Sequence, residues 1–210
     1  MLLEDATFEW RAGDRVLLTG PPGSGKSALL RSLAGAWPPP VRDGATDLGL
    51  RGSGVMLLSS SGFLLPHRAT LRRSLTYPDV IPPFDEDLQE ALAACGLAAL
   101  AGRLDEEADW GALLPLGGRQ RLAFARLAAR WPGATRWLLL DEADSALDGD
   151  EALILLELLV GSAPPGVGIV VTSRHPEVTS WPGWRRFHLC QEKRRLEEVT
   201  QPEAAGTEAD

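Results

Sequence analysis

The chain has 210 residues, and its 21 basic and 29 acidic side chains give a formal net charge of −8, which favours one domain of ordinary globular composition. Hydrophobic residues make up 44 % of the chain and charged residues 24 %, values that exclude wholesale disorder and a collagen-like repeat. Much of the acidic excess lies in Leu196–Asp210, which has five acidic residues and no basic one, so the rest of the chain is nearly neutral and lacks a broad basic face. We therefore expect no nucleic-acid partner.

The apolar segments are too short to cross a membrane. The longest nearly uninterrupted one, Leu153–Val160, falls far short of the roughly 20 residues that a membrane-spanning helix needs. The N-terminus carries acids where a secretory signal carries positive charge, and the two cysteines, Cys95 and Cys190, form no paired motif. We therefore expect a protein of the reducing cytosol that does not itself span a membrane.

Hydrophobic periodicity predicts strands that alternate with helices. In chain order the pattern predicts a strand at Val16–Thr19, a helix at Lys26–Leu33, a strand at Val55–Leu58, helices at Asp85–Cys95 and Gly118–Trp131, a strand at Trp137–Leu140, a helix at Asp150–Val160 and a strand at Val167–Thr172. This alternation is typical of an α/β fold with a mainly parallel sheet that is covered on both faces. We expect an ordered domain over residues 1–195 and an acidic, disordered tail over 196–210.

The first predicted strand and helix are joined by a phosphate-binding loop. Gly20–Ser27 reads G-P-P-G-S-G-K-S and matches G-x-x-x-x-G-K-[ST] in the strand, loop, helix context that the pattern requires. Glycines let successive N–H groups converge on phosphate oxygens, ahead of the positive end of the helix. We expect Lys26 to bind the β- and γ-phosphates of a nucleotide and the Ser27 hydroxyl to bind Mg²⁺. The predicted nucleotide-binding residues of this segment are Gly20, Pro21, Pro22, Gly23, Ser24, Gly25, Lys26, Ser27 and Ala28.

A second acidic site follows the apolar strand W-L-L-L-D at Trp137–Asp141. The strand delivers Asp141 to the edge where open α/β sheets bind ligands, so this carboxylate is predicted to hold Mg²⁺ directly or through water. Glu142 comes next and is predicted to orient, or to accept a proton from, the water that attacks the γ-phosphate. The long interval between Lys26 and Asp141 predicts an inserted subdomain, which we place at about residues 65–131.

Three motifs in this order resemble the nucleotide-binding domain of an ABC transporter, in the branch of subfamily D and related bacterial half-transporters. D-E-A-D-S-A-L-D, at Asp141–Asp148, is similar to that family's D-E-A-T-S-A-L-D, and L-P-L-G-G-R-Q-R, at Leu114–Arg121, is similar to its signature L-S-L-G-E-Q-Q-R. The resemblance implies a P-loop NTPase fold with an inserted α-helical subdomain, and an ATPase that uses ATP and Mg²⁺.

The resemblance also implies partners and a place in the cell. Two such domains, in a homodimer or heterodimer, would hold two ATP molecules between them, with Gly117 and Gly118 of one domain at the γ-phosphate of the other. Hydrolysis would drive transport through a membrane permease, at the inner face of the cell membrane. The family also has an aromatic residue that stacks on adenine, but we expect Phe8 and Trp10 to pack in the core instead.

Several positions depart from the family pattern. Pro115 replaces the signature serine and lacks an N–H, and no glutamine occurs in Ser59–Gly62, where the family has one that helps to bind Mg²⁺. The family's G-H-R-P is replaced by S-R-H-P, so alignment places Arg174 at the switch histidine while chemistry favours His175. Two functions therefore stay open: a transporter ATPase, and a degenerate ABC-like domain that binds ATP with little turnover and serves regulation or assembly. We expect the isolated chain to be monomeric or weakly dimeric.

Overall fold

The computed structural model describes residues 8–36, 54–62, 68–77, 82–129, 131, 135–190, 192 and 195–199. Residues 200–210 of the predicted tail lie outside this range. The strands are β1 (Arg15–Thr19), β2 (Val55–Ser59), β3 (Ala69–Thr70), β4 (Glu107–Ala108), β5 (Trp137–Asp141), β6 (Gly168–Thr172), β7 (Arg185–Cys190) and β8 (Arg195–Val199). The helices are α1 (Lys26–Leu33), α2 (Leu71–Thr76), α3 (Asp85–Ala94), α4 (Trp110–Leu113), α5 (Leu116–Ala129), α6 (Gly149–Ser162) and α7 (Pro176–Thr179), with a 3₁₀ helix at Ala98–Arg103.

Six strands form one sheet in the order β2-β5-β6-β1-β7-β8. The neighbouring strands are parallel except for β7 and β8, which are antiparallel. The strands β3 and β4 form a separate antiparallel pair. The predicted α/β fold with a mainly parallel sheet is therefore confirmed. None of the helices in the described parts of the chain is long and apolar enough to span a membrane.

Alternate residues of the central strands pack on opposite faces of the sheet. In β5, Leu138 and Leu140 face one buried cluster and Trp137 and Leu139 face the other, as the two-residue period of a strand requires. The first cluster takes in residues of α2, α3, α5 and α6, and α1 covers the second face. Burial on both faces explains why these strands read as continuous apolar runs.

The two aromatic residues before β1 pack in the second cluster. The ring centroids of Phe8 and Trp10 lie 4.8 Å apart, and Trp10 lies 5.7 Å from Phe187 and 6.3 Å from Trp137. Aromatic pairs at these separations and tilts contribute beyond their buried area. The expectation that these two residues belong to the core is confirmed.

The structure contains β3, β4, β7, β8, α2, α4 and α7, which the sequence analysis did not predict, and it shifts several predicted boundaries, of which two matter most. The predicted tail begins too early, because residues 196–199 lie in β8, where Leu196 is buried and Glu198 pairs with Arg185 at 2.7 Å. The helix predicted to start at Gly118 starts two residues earlier, so that Gly117 and Gly118 lie inside the first turn of α5. Glycine is a poor helix former, and the close tertiary contacts of this turn override that preference.

The sheet register brings the motif-bearing strand ends together. Ser59 at the end of β2 is opposite Asp141 at the end of β5, and Asp141 is in turn opposite Thr172 at the end of β6. β1 runs parallel to β6, so Thr19 ends at the same edge. Ligands of open α/β sheets bind at this carboxyl edge.

Candidate functional site

The loop Gly20–Ser27 connects β1 to α1 through backbone conformations that favour glycine. Gly23 has φ +75° and Gly25, directly before α1, has φ +104°, in the region that side chains with a Cβ rarely adopt. The hydrogen bond from Leu29 N to the Gly25 carbonyl, at 2.9 Å, is the earliest α-helical bond of α1. The N–H groups of the first turn, which includes Ser27 and Ala28, have no partner within the helix and can bind an anion.

The Lys26 side chain curls back over this loop. Its Nζ donates to the carbonyl oxygens of Gly20 at 2.8 Å and Pro21 at 3.1 Å. Partial burial lowers the pKa of Lys26, while the nearby Glu142 carboxylate acts in the opposite direction. The ammonium group is thus already placed at the mouth of the loop, where a phosphate oxygen could replace a carbonyl oxygen as its partner.

Ser27 and Asp141 meet across the cleft. The Ser27 hydroxyl donates to Asp141 Oδ1 at 2.7 Å, and the Asp141 side chain is only 4 % exposed, with Arg31 Nη2 at 3.7 Å from Oδ2. A hydroxyl and a carboxylate oxygen side by side are the hard ligands that Mg²⁺ prefers. The chemistry of this pair therefore fits a Mg²⁺ ion that takes its other ligands from phosphate and water.

Glu142 holds a backbone conformation that is uncommon for residues other than glycine, with φ +49°. Its N–H donates to the carbonyl oxygen of Thr172 at 3.1 Å and to the Thr172 hydroxyl at 3.0 Å, which anchors the residue to the end of β6. Its carboxylate Oε2 lies 2.6 Å from Arg174 Nη2. Residues held in sparsely populated conformations cluster at functional sites, so this geometry points to Glu142 as a site residue.

Lys26, Ser27, Glu142 and Arg174 border one open cleft of about 690 Å³ at the carboxyl edge of the sheet, whereas the predicted residues Pro21, Ser24, Ala28 and Asp141 are not among those that line it. It is lined by Thr19, Gly20, Pro22, Gly23, Gly25, Lys26, Ser27, Glu142, Ser173, Arg174 and Thr179. The structure thus brings together the loop, the Ser27 hydroxyl, Glu142 and Arg174. The sequence analysis did not predict Thr19, Ser173 or Thr179 as site residues. Thr19 ends one predicted strand and Ser173 directly follows another, so their positions could have indicated two of the three.

Arg174 and His175 point to different places. Arg174 lines the cleft, whereas His175 Nε2 lies 3.2 Å from the carbonyl oxygen of Asp144, in the turn after Glu142. The Ser173 hydroxyl donates to the Asp144 carboxylate and accepts from His175 N at 3.1 Å. Burial raises the pKa of Asp144, and the Ser173 hydrogen bond opposes that shift. His175 therefore supports the turn, and Arg174 is the side chain nearer to the cleft.

Gly117 and Gly118 do not line this cleft. A Cβ at Gly117 would lie 2.9 Å from the carbonyl oxygen of Ala146, so the start of α5 packs against the turn Glu142–Asp148. At Gly118 a Cβ would meet Pro115 Cδ at 3.4 Å. Exposed apolar side chains flank the two glycines, with Leu113 58 % and Leu116 38 % exposed. The structure therefore does not bring the predicted residues Gly117 and Gly118 to this cleft, and Gly118 is buried in α5.

Comparisons with known proteins agree with this geometry. A family model described as ABC transporter matches residues 3–145, well over half of the chain. The inner membrane ABC transporter ATP-binding protein YddA of Escherichia coli (strain K12) is 32 % identical over 178 residues, which cover 85 % of this chain and 30 % of YddA. The lysosomal cobalamin transporter ABCD4 of Homo sapiens is 36 % identical over 160 residues, which cover 70 % of this chain and 25 % of ABCD4.

A solved structure shows the same likeness. A bacterial Atm1-family ABC exporter with ATP bound matches with a TM-score of 0.70 and 25 % identity, over 94 % of this chain and 35 % of the exporter chain. The chain thus spans about a third or less of the length of each of these three relatives.

Proposed function

The chain belongs to the ABC transporter family, as an ATP-binding domain with similarity to subfamily D, and from that premise we propose that it binds and hydrolyses ATP to drive transport through a membrane permease. The observation that carries the proposal is the cleft lined by residues of the Gly20–Ser27 loop and by Glu142, in which the Ser27 hydroxyl is bonded to Asp141. The cationic side chains of Lys26 and Arg174 and the first-turn N–H groups of α1 suit a polyphosphate, and the Glu142 carboxylate lies in the same cleft.

Different residues of the site would have different roles in hydrolysis. Lys26 and the first-turn amides of α1 would bind the β- and γ-phosphates, and Ser27 and Asp141 would hold Mg²⁺. That ion, when bound, offsets the negative charge that develops on the phosphates. Glu142 would orient the attacking water and accept its proton, which requires that the carboxylate first separate from Arg174. The freed Arg174 guanidinium would then bind the γ-phosphate.

Two other parts of the domain support the proposal of two protein partners. The exposed apolar residues Leu113 and Leu116 beside Gly117 and Gly118 suit a second ATP-binding domain, whose nucleotide these glycines would contact. The helices between β2 and β5 would form the inserted helical subdomain, at about residues 65–131, and would contact the permease. We place the domain on the inner face of the cell membrane, held there by that permease.

The test is titration of the purified chain with Mg-ATP by calorimetry, with Lys26→Ala as the variant. We expect the variant to bind at least ~100-fold more weakly, because it loses two hydrogen bonds to charged oxygens of about 1.5–3 kcal/mol each. Arg11→Ala, which removes an exposed cation paired with Glu9, serves as the control and binds as the parent does. Unchanged affinity in Lys26→Ala would refute the nucleotide site, whereas binding without measurable hydrolysis would favour the degenerate-domain alternative.

A further inference from the structure

The Gln120 side chain, in α5, is fully buried and connects two separate segments of the chain. Its Nε2 donates to the carbonyl oxygen of Ser60 at 2.7 Å and to the Ser145 hydroxyl at 3.0 Å, and its Oε1 accepts from Ala146 N at 2.9 Å. Both donor hydrogens of the amide are therefore used, together with its acceptor oxygen. No aliphatic side chain can satisfy these three partners.

Each of the two connected segments lies next to a carboxylate residue of the proposed site. Ser60 follows Ser59, which is opposite Asp141 in the β2–β5 register. Ser145 N donates to the carbonyl oxygen of Glu142 at 3.1 Å, so the turn that Gln120 holds begins at Glu142 itself. Gln120 thus joins the loop after β2 to the turn that carries the site carboxylate.

The backbones around Gln120 approach so closely that side chains are excluded. A Cβ at Gly62 would lie 3.0 Å from the carbonyl oxygen of Arg119, and a Cβ at Gly117 would lie 2.9 Å from that of Ala146. The loop after β2 and the turn after Glu142 therefore each contact α5 directly. Small displacements of either segment would be transmitted through these contacts, because packed interiors have little free space.

From these contacts we infer that Gln120 is a positioning residue, which fixes the turn beginning at Glu142 relative to the loop after β2 and the glycine-bearing start of α5. The inference rests on the proposed function, in which that turn presents the carboxylate to water. None of the three hydrogen bonds involves the Gly20–Ser27 loop. Loss of Gln120 therefore lowers the rate of hydrolysis much more than it lowers the affinity for Mg-ATP.

The test compares Gln120→Glu with Gln89→Glu, the same chemical change at an exposed position of α3. At Gln120 the change keeps the size of the side chain but removes both donor hydrogens and directs a carboxylate oxygen at the Ser60 carbonyl. We expect backbone amides of residues 143–148 to exchange hydrogen at least ~10-fold faster and kcat to fall at least ~10-fold, with the Kd for Mg-ATP within about 3-fold of the parent. Gln89→Glu leaves all three quantities unchanged.

A pH profile separates positioning from a general loss of stability. Protonation of the new carboxyl restores one donor hydrogen, so the ratio of the Gln120→Glu rate to the parent rate rises as the pH falls from about 8.5 to about 6. Gln120→Leu has no proton to regain, and its ratio stays flat over the same range. Both ratios are measured below the unfolding temperature of the variants.

The outcomes distinguish this inference from the proposed function. A folded Gln120→Glu chain whose amide exchange and kcat equal those of Gln89→Glu would overturn the role of Gln120. If Gln120→Glu does not fold, Ser145→Ala removes a single acceptor and should speed exchange over residues 143–148 about 3-fold, and unchanged exchange there overturns the role as well. Exchange is measured without nucleotide, so a parent chain that fails to bind Mg-ATP contradicts the proposed function alone.

Discussion

Glu142 and Arg174 are the two oppositely charged cleft residues that pair with each other. The positive φ of Glu142 costs of order 1–3 kcal/mol, and the two hydrogen bonds from its N–H to Thr172 offset that cost. Its carboxylate is 20 % exposed and pairs with an Arg174 side chain that is 73 % exposed. In the proposed function, nucleotide binding that draws Arg174 away would free Oε2 of Glu142, which is paired with Arg174, to orient the attacking water.

Glu142→Gln should preserve nucleotide binding and slow hydrolysis by about 10²–10⁴-fold. The amide keeps the shape of the side chain and can retain the backbone anchor to Thr172, but it cannot accept a proton. Binding is measured by calorimetry and turnover by phosphate release. Turnover equal to that of the parent would show that another group activates the water.

Arg174→Ala should cut hydrolysis at least ~10-fold with little effect on the affinity for Mg-ATP, since a contact with the γ-phosphate matters most as its charge develops. Arg174→Lys should recover only part of the rate, because an ammonium lacks the planar fork of donors. The paired experiment is His175→Ala, whose Nε2 contacts the backbone of Asp144. A large rate loss in His175→Ala with an unaffected Arg174→Ala would assign the switch role to the histidine.

At the scale of elements, the turn from Glu142 to Asp148 is held from three sides. Ser173 and His175 contact it from the end of β6, Gln120 contacts it from α5, and the Asp148 side chain caps α6 by accepting from Glu151 N at 2.8 Å. A side-chain cap of this kind contributes about 1 kcal/mol to helix stability. The turn is thus a junction between the sheet and two helices rather than a free loop.

The stability that Asp144→Asn gains relative to the parent should increase as the pH rises. Burial raises the pKa of Asp144 in the folded state, so its favourable contribution is complete below the unfolded pKa and is lost as the pH rises through the folded pKa. Asparagine does not ionise and can still accept from Ser173. Urea unfolding of both proteins, at pH values from below the unfolded pKa of Asp144 to above its folded pKa, measures the difference in unfolding free energy. The variant Asp150→Asn, at an exposed position, is the control.

A difference in unfolding free energy between Asp144→Asn and the parent that falls with pH, or that does not vary, would contradict this assignment. The control matters because removal of any acid changes the long-range repulsion in a protein with a net charge of −8.

At the scale of the whole molecule, the proposed function gives the chain half of each of two nucleotide sites. The Gly20–Ser27 loop and Glu142 border one cleft, and Gly117 and Gly118 face away from it against the turn that contains Ala146. A symmetric pair of such domains would place each glycine end at the other's cleft, as an isologous interface requires. Association and hydrolysis are therefore coupled in the proposed function.

Pro115→Ser should strengthen ATP-dependent dimerisation, because Pro115 offers neither a hydroxyl nor an N–H to the partner's nucleotide. Each missing hydrogen bond to a charged group is worth about 1.5–3 kcal/mol, and a homodimer lacks two, so the dimer constant should improve about 10²–10⁴-fold. Light scattering with Mg-ATP in the Glu142→Gln background measures it. Pro82→Ser, at an exposed proline, is the matched control.

The parent chain should remain monomeric or only weakly dimeric in the same measurement. A tight ATP-dependent dimer of the parent would refute the role given to Pro115, whereas equal strengthening by Pro82→Ser would show that the effect is not specific to the signature.

The sequence by itself determined β1, β2, β5 and β6 and the residues at their ends, whereas it did not predict β3, β4, β7 or β8. The apolar runs predicted β1, β2, β5 and β6 to within a residue or two, because strands buried on both faces must be continuously apolar. The motif residues follow those strands directly, and parallel strands end at one edge of a sheet. The contact between Ser27 and Asp141, and the placement of Glu142 in the same cleft as Ser27, were therefore predictable from local patterns.

Only the tertiary structure decided contacts between segments that are distant in the chain. Arg174 and His175 are adjacent, and the packing of β6 against the turn after Glu142 determines which of them lines the cleft. Gln120 lies among the buried positions of α5, yet its partners Ser60 and Ala146 are revealed only when three segments come together. Periodicity reports which face of an element is buried, but the hydrogen-bond partner of a buried polar group depends on which segment covers that face.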